Sequence, residues 1–216
     1  MDALQRVAGA SRRLKLFPLP QVVLLPGSML PLHIFEPRYR QLVEDALATD
    51  GVFAMARPRR DATGEPVPLE PVVSAGVIGN HEKLEDGRYN LVLQGVVRAR
   101  ILRELPTSKL YREVEAEVLP DPAYQGQRVL EVRQAVLALA SQLPASAADW
   151  VSEVAGAKEG GALADLVASA VVAENKRRGR VLDELRVPER LELVLEDIGG
   201  LLARLGAQAG SGGMKN

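Results

Sequence analysis

The chain has 216 residues, of which 47% are hydrophobic and 25% are charged, and its formal net charge is -1 at pH 7. This composition is typical of a globular protein with one large or two small domains, and it disfavours a disordered chain or a membrane protein. The near-zero charge gives no overall field to attract nucleic acid, and the absence of cysteine excludes disulfides, thiolate metal ligands and cysteine nucleophiles.

The N-terminal segment does not have the pattern of a secretion signal. Prolines at positions 18, 20 and 26 interrupt the apolar run that follows the early arginines. We therefore expect a cytoplasmic protein, and we assign residues 1–13 to an N-terminal extension.

Residues 14–119 predict a β-rich subdomain that is mainly antiparallel. Prolines and leucines in residues 16–32 indicate short strands broken by turns, and residues 57–71 have the prolines and charges of an irregular exposed loop. Asp86-Gly87 indicates a turn between two strands. The remaining strand candidates are residues 52–56, 72–78, 89–97, 99–102 and 114–119.

One amphipathic helix interrupts these strands. Apolar residues recur at helical spacing from Tyr39 to Leu47, and Pro37 suits a first helical turn, so the pattern predicts a helix over residues 37–47. The same spacing explains a group of neighbouring side chains as core. That group is Ile34, Phe35, Tyr39 and Leu42.

The second half of the chain predicts a helical bundle. Prolines 120 and 122 mark a change to alanine-rich helical periodicity, so we place an α-helical subdomain at residues 120–206. The glycine-rich residues 207–216 predict a disordered tail. Apolar stripes at helical spacing lie at Val129 to Leu143, Leu163 to Val171, and Leu191 to Leu205, the last weakened at Gly199-Gly200.

The sequence contains no recognisable catalytic or metal-binding motif. No lysine follows a glycine as in a P-loop, and Glu85 stands where a zincin motif beginning at His81-Glu82 would need a second histidine. We interpret His81 as a solvated loop residue and His33 as a buried or half-buried histidine satisfied by hydrogen bonds. We therefore expect no catalytic residue, no metal and no cofactor.

Charged residues at alternate positions favour solvated faces over functional sites. Glu113, Glu115 and Glu117 alternate with apolar residues in a strand candidate, and Arg98 and Arg100 share a face of another. The basic cluster at residues 175–180 lacks the aromatic side chains that usually accompany a nucleic-acid site.

Several stretches resemble the substrate-binding N-terminal domain of Lon protease. Residues 16–27, LFPLPQVVLLPG, and residues 30–39, LPLHIFEPRY, are similar to its opening signature. Residues 76–98 resemble its central hairpin, and residues 163–195 contain pieces similar to its helical end. The resemblance covers about residues 14 to 206.

The resemblance implies an α+β fold in which a PUA-like twisted antiparallel β-sheet or barrel subdomain precedes a C-terminal helical bundle. It also implies recognition of unfolded or tagged polypeptides, which is the role of this domain in Lon. In Lon an ATPase module and a Ser-Lys peptidase module follow, and this chain ends before either could begin. We therefore expect a free-standing, non-catalytic member of the family.

The expected recognition surface is the start of the family signature together with the proline loop. Exposed apolar side chains beside a sheet edge could capture an extended segment through backbone hydrogen bonds and side-chain pockets. Arg38 has a structural alternative, a local cap or ion pair at the helix start. The candidate polypeptide-binding residues are Leu25, Pro26, Met29, Pro31, His33 and Arg38.

Partners other than unfolded or extended polypeptides are also open. A full-length Lon protease is one candidate, and a second copy of this chain, bound through the helical half, is another. PUA-like folds include RNA binders and can form small-molecule pockets, so a nucleic-acid module and a small-molecule sensor are the alternative functions. The near-neutral charge disfavours the first of these.

Overall fold

A computed structural model describes residues 1–59, 63–64, 66–143 and 147–212 of the protein, with side chains described as far as residue 207. The chain divides into two compact units, Met1–Pro120 and Asp121–Asn216. The expected boundary lay one residue earlier. The first unit contains a six-stranded sheet and the second is helical, so the predicted α+β class is confirmed.

The sheet contains the strands β1 (Leu14–Pro18), β2 (Met29–Ile34), β3 (Val52–Ala56), β4 (Val72–Lys83), β5 (Tyr89–Leu105) and β6 (Arg112–Leu119). Their order is β2-β5-β4-β3-β1-β6, and a further pairing between β5 and β6 closes five strands into a barrel. Strand β2 lies outside this ring, paired with β5. The pairings are antiparallel except that β1 and β3 run parallel, because the chain crosses over through a strand and a helix between them.

Strands β4 and β5 are longer than the sequence predicted. The predicted strands 89–97 and 99–102 are one strand of 17 residues, which pairs with β2 near its start and with β6 near its end. Register shifts interrupt the ladders that β5 forms with β4 and with β6, and such bulges allow a long strand to bend around a barrel. The polar end of β4, residues 79–83, lacks the apolar alternation that would have identified it.

Helix α1 (Ala3–Ala10) makes residues 1–13 part of the first unit instead of an extension. Asp2 and Gln5 form a capping box at its start, and a 3₁₀ turn (Ser11–Arg13) leads into β1. Val7 is fully buried in the core cluster that contains Leu14 and Val97. A single buried face on so short a helix gave little periodic signal in the sequence.

Helix α2 (Pro37–Leu47) has the predicted bounds and packs over a second core cluster. Tyr39 stacks on Phe17 with ring centroids 3.9 Å apart, and its hydroxyl donates to the Pro18 carbonyl over 3.1 Å. Burial raises the pKa of Tyr39, which extends the neutral, donating form of the phenol to higher pH. These contacts fix the start of α2, and therefore the end of β2 that precedes it.

Two residues expected on solvated faces are buried. Arg98 is 1% exposed and Glu113 is 4% exposed. Glu113 accepts a 2.7 Å hydrogen bond from the guanidinium of Arg13, because the 3₁₀ turn that contains Arg13 lies against β6. Glu115 and Glu117 form more exposed ion pairs with arginines of β5, as a solvated face would.

The second unit contains five helices within its described residues. The predicted stripes bury Val132, Leu163 and Val194. Helix α7 passes through Gly199-Gly200 and includes residues 207–212, expected to be disordered, because helix propagates readily through the alanines and glutamine that follow. Residues 213–216 of the expected tail lie outside the described residues. The helices are α3 (Gln127–Ala140), α4 (Ala148–Gly156), α5 (Gly160–Val171), α6 (Asn175–Asp183) and α7 (Val187–Gly212).

A buried ion network connects three segments of the second unit. Arg190 of α7 is 0% exposed and donates to Asp165 of α5 over 3.0 Å. It also donates to both carboxylate oxygens of Asp121, over 3.0 and 2.5 Å. Because a bidentate arginine pair has a defined geometry, this network fixes the entry of the chain into the helical unit.

The close approach of two backbones brings residues 25–28 against β5. A Cβ atom at Gly95 would lie 2.3 Å from the Leu25 carbonyl oxygen. The Gly95 N–H donates to the Ser28 carbonyl, and the Gly27 N–H donates to the Gly95 carbonyl, each over 2.9 Å. Only glycine allows these bonds at this separation.

We predict that Arg190→Ala lowers the free energy of unfolding by about 3–5 kcal/mol, because Asp165 becomes a buried carboxylate without its cation. Urea unfolding monitored by the fluorescence of Trp150, which lies in the same unit, measures this change. The matched control is Arg186→Ala, since the Arg186 side chain is 70% exposed, and it should change stability by less than about 0.5 kcal/mol. Similar losses in the two variants would contradict a stabilising network.

We also predict that Gly95→Ala lowers the free energy of unfolding by about 1–3 kcal/mol. The new methyl group displaces the Leu25 carbonyl and weakens the two hydrogen bonds to residues 27 and 28. Thermal unfolding followed by circular dichroism measures the loss. Gly79→Ala is the control, since its nearest neighbour would be 3.4 Å from the added Cβ. An unchanged midpoint for Gly95→Ala would show that the close approach is not required.

Candidate functional site

Strand β2 has an open edge. The Ser28 carbonyl accepts from Gly95 of β5, and the pairs continue in register from Met29–Gln94 to Ile34–Tyr89. In an antiparallel ladder the backbone groups of successive residues alternate in direction. The backbone groups of Met29, Pro31 and His33 therefore point away from β5, where β2 is the last strand in the order.

The side chains of β2 alternate between the core and the outside. Leu30 and Leu32 are half-buried and pack against the cluster under α2. Met29 is 73% exposed, and Phe35, directly after the strand, is 60% exposed. We call the exposed residues on this face the β2 outer row: Met29, Pro31, His33 and Phe35.

An open groove of about 560 Å³ lies beside the β2 outer row. Its walls come from β2, β5 and the polar end of β4. The groove is lined by Pro31, Leu32, His33, Asn80, His81, Glu82, Asn90, Leu91 and Val92. It therefore combines apolar surface with a few hydrogen-bonding groups, as polypeptide-binding grooves do.

Hydrogen bonds from β5 and its preceding turn orient His33. Its Nδ1 lies 2.7 Å from Asn90 Oδ1, and Arg88 Nη1 lies 3.2 Å from Nε2. Because arginine can only donate, the tautomer of the neutral imidazole that fits both contacts accepts at Nε2 and donates from Nδ1. Arg88 is itself paired with Asp86 over 2.6 Å, and the hydrogen bond from the Arg88 backbone N–H lowers the pKa of Asp86. His33 is hydrogen-bonded as expected but exposed, which corrects its predicted burial.

The structure brings together only some of the residues that the sequence suggested. Met29, Pro31 and His33 share the outer row, whereas Leu25 is 1% exposed and cannot contribute a surface contact. Leu25 is buried because its backbone lies against Gly95. Pro26 is half-buried at the preceding turn.

Arg38 is exposed but already has local contacts. It forms a 2.8 Å ion pair with Glu36, and its guanidinium lies 4.5 Å from the centroid of the Tyr39 ring. The structural alternative considered for Arg38 is thus realised in this structure. An exposed pair of this kind is weak enough to exchange for a partner's carboxylate.

Sequence reasoning missed Phe35, which it placed in the core with Ile34, Tyr39 and Leu42. Those three are buried, but Phe35 stacks beside His33 with ring centroids 6.2 Å apart. The period-two pattern that continues from Met29 through His33 would have identified it. Helix α2 begins only at Pro37, so the helical spacing that explains Tyr39 and Leu42 does not extend to Phe35.

The described contacts of the proline loop are made with residues outside the β2 outer row. Pro58 and Leu69 form an isolated bridge, and Arg112 donates to the Val67 carbonyl over 2.7 Å. Residues 60–62 and 65 of this loop lie outside the described residues. The β2 outer row lies wholly within the described residues, and the site is defined there.

The basic cluster at residues 175–180 is engaged within the second unit. Arg177 pairs with Asp197 over 2.7 Å, and Arg178 donates to the carbonyls of Ser169 and Val172. Such internal contacts reduce the positive charge that the cluster offers to a polyanion.

Within the described ranges, no three His, Asp or Glu side chains are grouped so that they could hold a metal ion. None of the helices in those ranges has both the length and the hydropathy to cross a membrane.

Curated relatives of the chain are Lon proteases. The Lon protease of Roseiflexus castenholzii is 30% identical over 187 residues, which cover 84% of this chain and 23% of that protein. The Lon protease of Anaeromyxobacter dehalogenans is 28% identical over 193 residues, which cover 85% of this chain and 22% of that protein. The chain thus spans less than a quarter of the length of these relatives.

Solved structures with the same fold are Lon N-terminal domains. The N-terminal domain of Mycobacterium avium complex Lon protease matches with a TM-score of 0.72 at 19% identity, covering 87% of this chain and 98% of that one. The Lon N-terminal domain protein from Xanthomonas campestris matches with a TM-score of 0.62 at 23% identity, covering 85% and 97%.

The sequence profile of the ATP-dependent protease La (LON) substrate-binding domain matches residues 13–198. This range contains all six strands and helices α2 to α6, together with the first part of α7. The chain belongs to the family of the Lon substrate-binding domain.

Proposed function

We propose that this protein binds extended segments of unfolded polypeptides at the β2 outer row, without catalysing a reaction on them. The observation that carries the proposal is the exposure of two large apolar side chains, Met29 at 73% and Phe35 at 60%, beside an open strand edge. Apolar side chains grouped in this way often mark binding sites for other chains. Membership of a substrate-binding family supports the same conclusion.

The side chains of the row suit a partner of variable sequence. Met29 is flexible and polarizable, so it can adapt to different apolar residues. Phe35 offers a rigid aromatic surface, and the Asn90 side chain beside His33 is exposed at the groove. Burial of one such apolar side chain contributes about 1.5–3 kcal/mol, so a few contacts give weak and reversible binding.

We propose the cytoplasm as the setting for this activity, since a chain without cysteine needs no oxidising compartment. A full-length Lon protease is a second proposed partner, on the basis of the Lon proteases among the relatives. A homodimer through the helical unit is a third proposal. Helix α3 exposes Leu130 and Leu137, at 61% and 64%, which would suit such a contact.

The proposed function predicts selective binding to an unfolded chain. The purified protein should bind a reduced and alkylated model protein, and it should not bind the same protein in its folded form or single-stranded RNA. Because the contacts are mainly apolar, affinity should change little between low and high salt. Fluorescence anisotropy with labelled probes measures this. Binding to RNA alone, with affinity that falls steeply with salt, would instead favour a nucleic-acid module.

We predict that the double variant Met29→Ser, Phe35→Ser binds the unfolded probe at least about tenfold more weakly, because it removes the two largest apolar side chains of the row. The control is Leu102→Ser, Leu110→Ser, which removes side chains of 56% and 62% exposure from the same unit but outside the row. Circular dichroism verifies that both variants are folded. Equal losses of affinity in the two would show that binding is not localised at β2.

A further inference from the structure

We propose that the open edge of β2 binds its polypeptide as an added β-strand, through the backbone groups of Met29, Pro31 and His33. This inference rests on the proposed function and specifies how the site works. Among the described residues, no backbone group pairs with these three on the side away from β5. Such an unpaired row is a template for another strand.

The edge offers more acceptors than donors. Met29 and His33 each present an N–H and a carbonyl, whereas Pro31 presents only a carbonyl because proline has no N–H. Pro31 is tolerated here because it lies at a position whose N–H would point away from β5. A segment that binds must therefore provide an N–H at every second residue, and a proline at one of these positions would weaken binding.

The missing N–H also favours a foreign segment over a second copy of β2. If two β2 edges paired about a two-fold axis through Pro31, each Pro31 carbonyl would face the nitrogen of the other Pro31, which has no hydrogen to donate. A segment with an N–H opposite Pro31 satisfies that carbonyl. Because unsatisfied carbonyls are costly when covered, we assign the edge to proline-free extended segments of other chains.

The two faces of the added strand would meet different surfaces. Alternate side chains would continue the β2 outer row, beside Met29 and His33. The others would lie next to Leu30 and Leu32, which are half-buried against the core cluster under α2. The edge should therefore prefer segments in which every second residue is apolar.

The experiment uses a defined probe, the acetylated and amidated peptide Lys-Thr-Val-Thr-Val-Thr-Lys. In one version the threonine nitrogens are methylated, and in another the valine nitrogens are methylated. With valines facing Leu30 and Leu32, an antiparallel strand bonds to β2 through its threonines and a parallel strand through its valines. We expect methylation of one set to weaken binding at least about tenfold and methylation of the other to have little effect. Isothermal titration calorimetry measures the affinities.

Loss of affinity confined to either alternating set supports strand addition, and the affected set gives the strand direction. Equal effects of the two sets would overturn strand addition while leaving polypeptide binding intact. A protein that binds neither this peptide nor the unfolded model protein would overturn the proposed function as well. Sedimentation of the protein with and without the peptide tests whether a second copy occupies the edge. A dimer of the free protein that the peptide dissociates would contradict the assignment of the edge to segments of other chains.

A variant of the protein provides the complementary test. Pro31→Val restores an N–H at the centre of the edge with a residue suited to strands. We expect it to bind the unmethylated peptide about two- to tenfold more tightly, through one additional backbone hydrogen bond. Unchanged or weaker binding by the folded variant would contradict strand addition, since contact with side chains alone gains nothing from the new N–H.

Discussion

Strand β5 is the constraint on which the first unit depends. Over its 17 residues it pairs with β4 along most of its length, with β2 near its start and with β6 near its end. The last of these pairings closes the barrel and leaves β2 outside it, and no other described strand pairs with the outer edge of β2. The open edge is therefore a consequence of how the barrel closes, and it does not require a separate structural element.

The same strand positions the groups around the edge. Gly95 allows the segment before β2 to approach the sheet, and Asn90 bonds to His33 from the neighbouring strand. Asp86 and Arg88 complete this support from the turn before β5. The surface is thus built on a rigid sheet, although its apolar side chains remain exposed. Rigid backbone with adaptable side chains reduces the conformational entropy that binding must overcome.

Much of the fold could be predicted from the sequence because its signals are local. Helix α2 has a periodic stripe and a proline at its start, and both of its ends were predicted. The long-range features were not predicted. Arg190 donates hydrogen bonds to Asp121 and Asp165, which lie 69 and 25 residues away in the sequence, and no local pattern relates these residues. The position of β2 at the end of the strand order likewise depends on how the whole sheet closes, and no local pattern predicts it.

An exposed strand edge beside apolar side chains favours aggregation. Pro31 affects both pairing between two such edges and the proposed binding of a foreign segment. By removing one N–H it makes pairing between identical edges incomplete, which disfavours edge-to-edge self-association. A foreign segment loses less from this, because its own N–H groups still reach three carbonyls in a row. Pro31 therefore disfavours pairing between two β2 edges but leaves the proposed contact available. In this proposal the selectivity arises from backbone hydrogen bonds and does not depend on a particular side-chain sequence. A surface of that kind suits the proposed binding of extended segments of unfolded polypeptides.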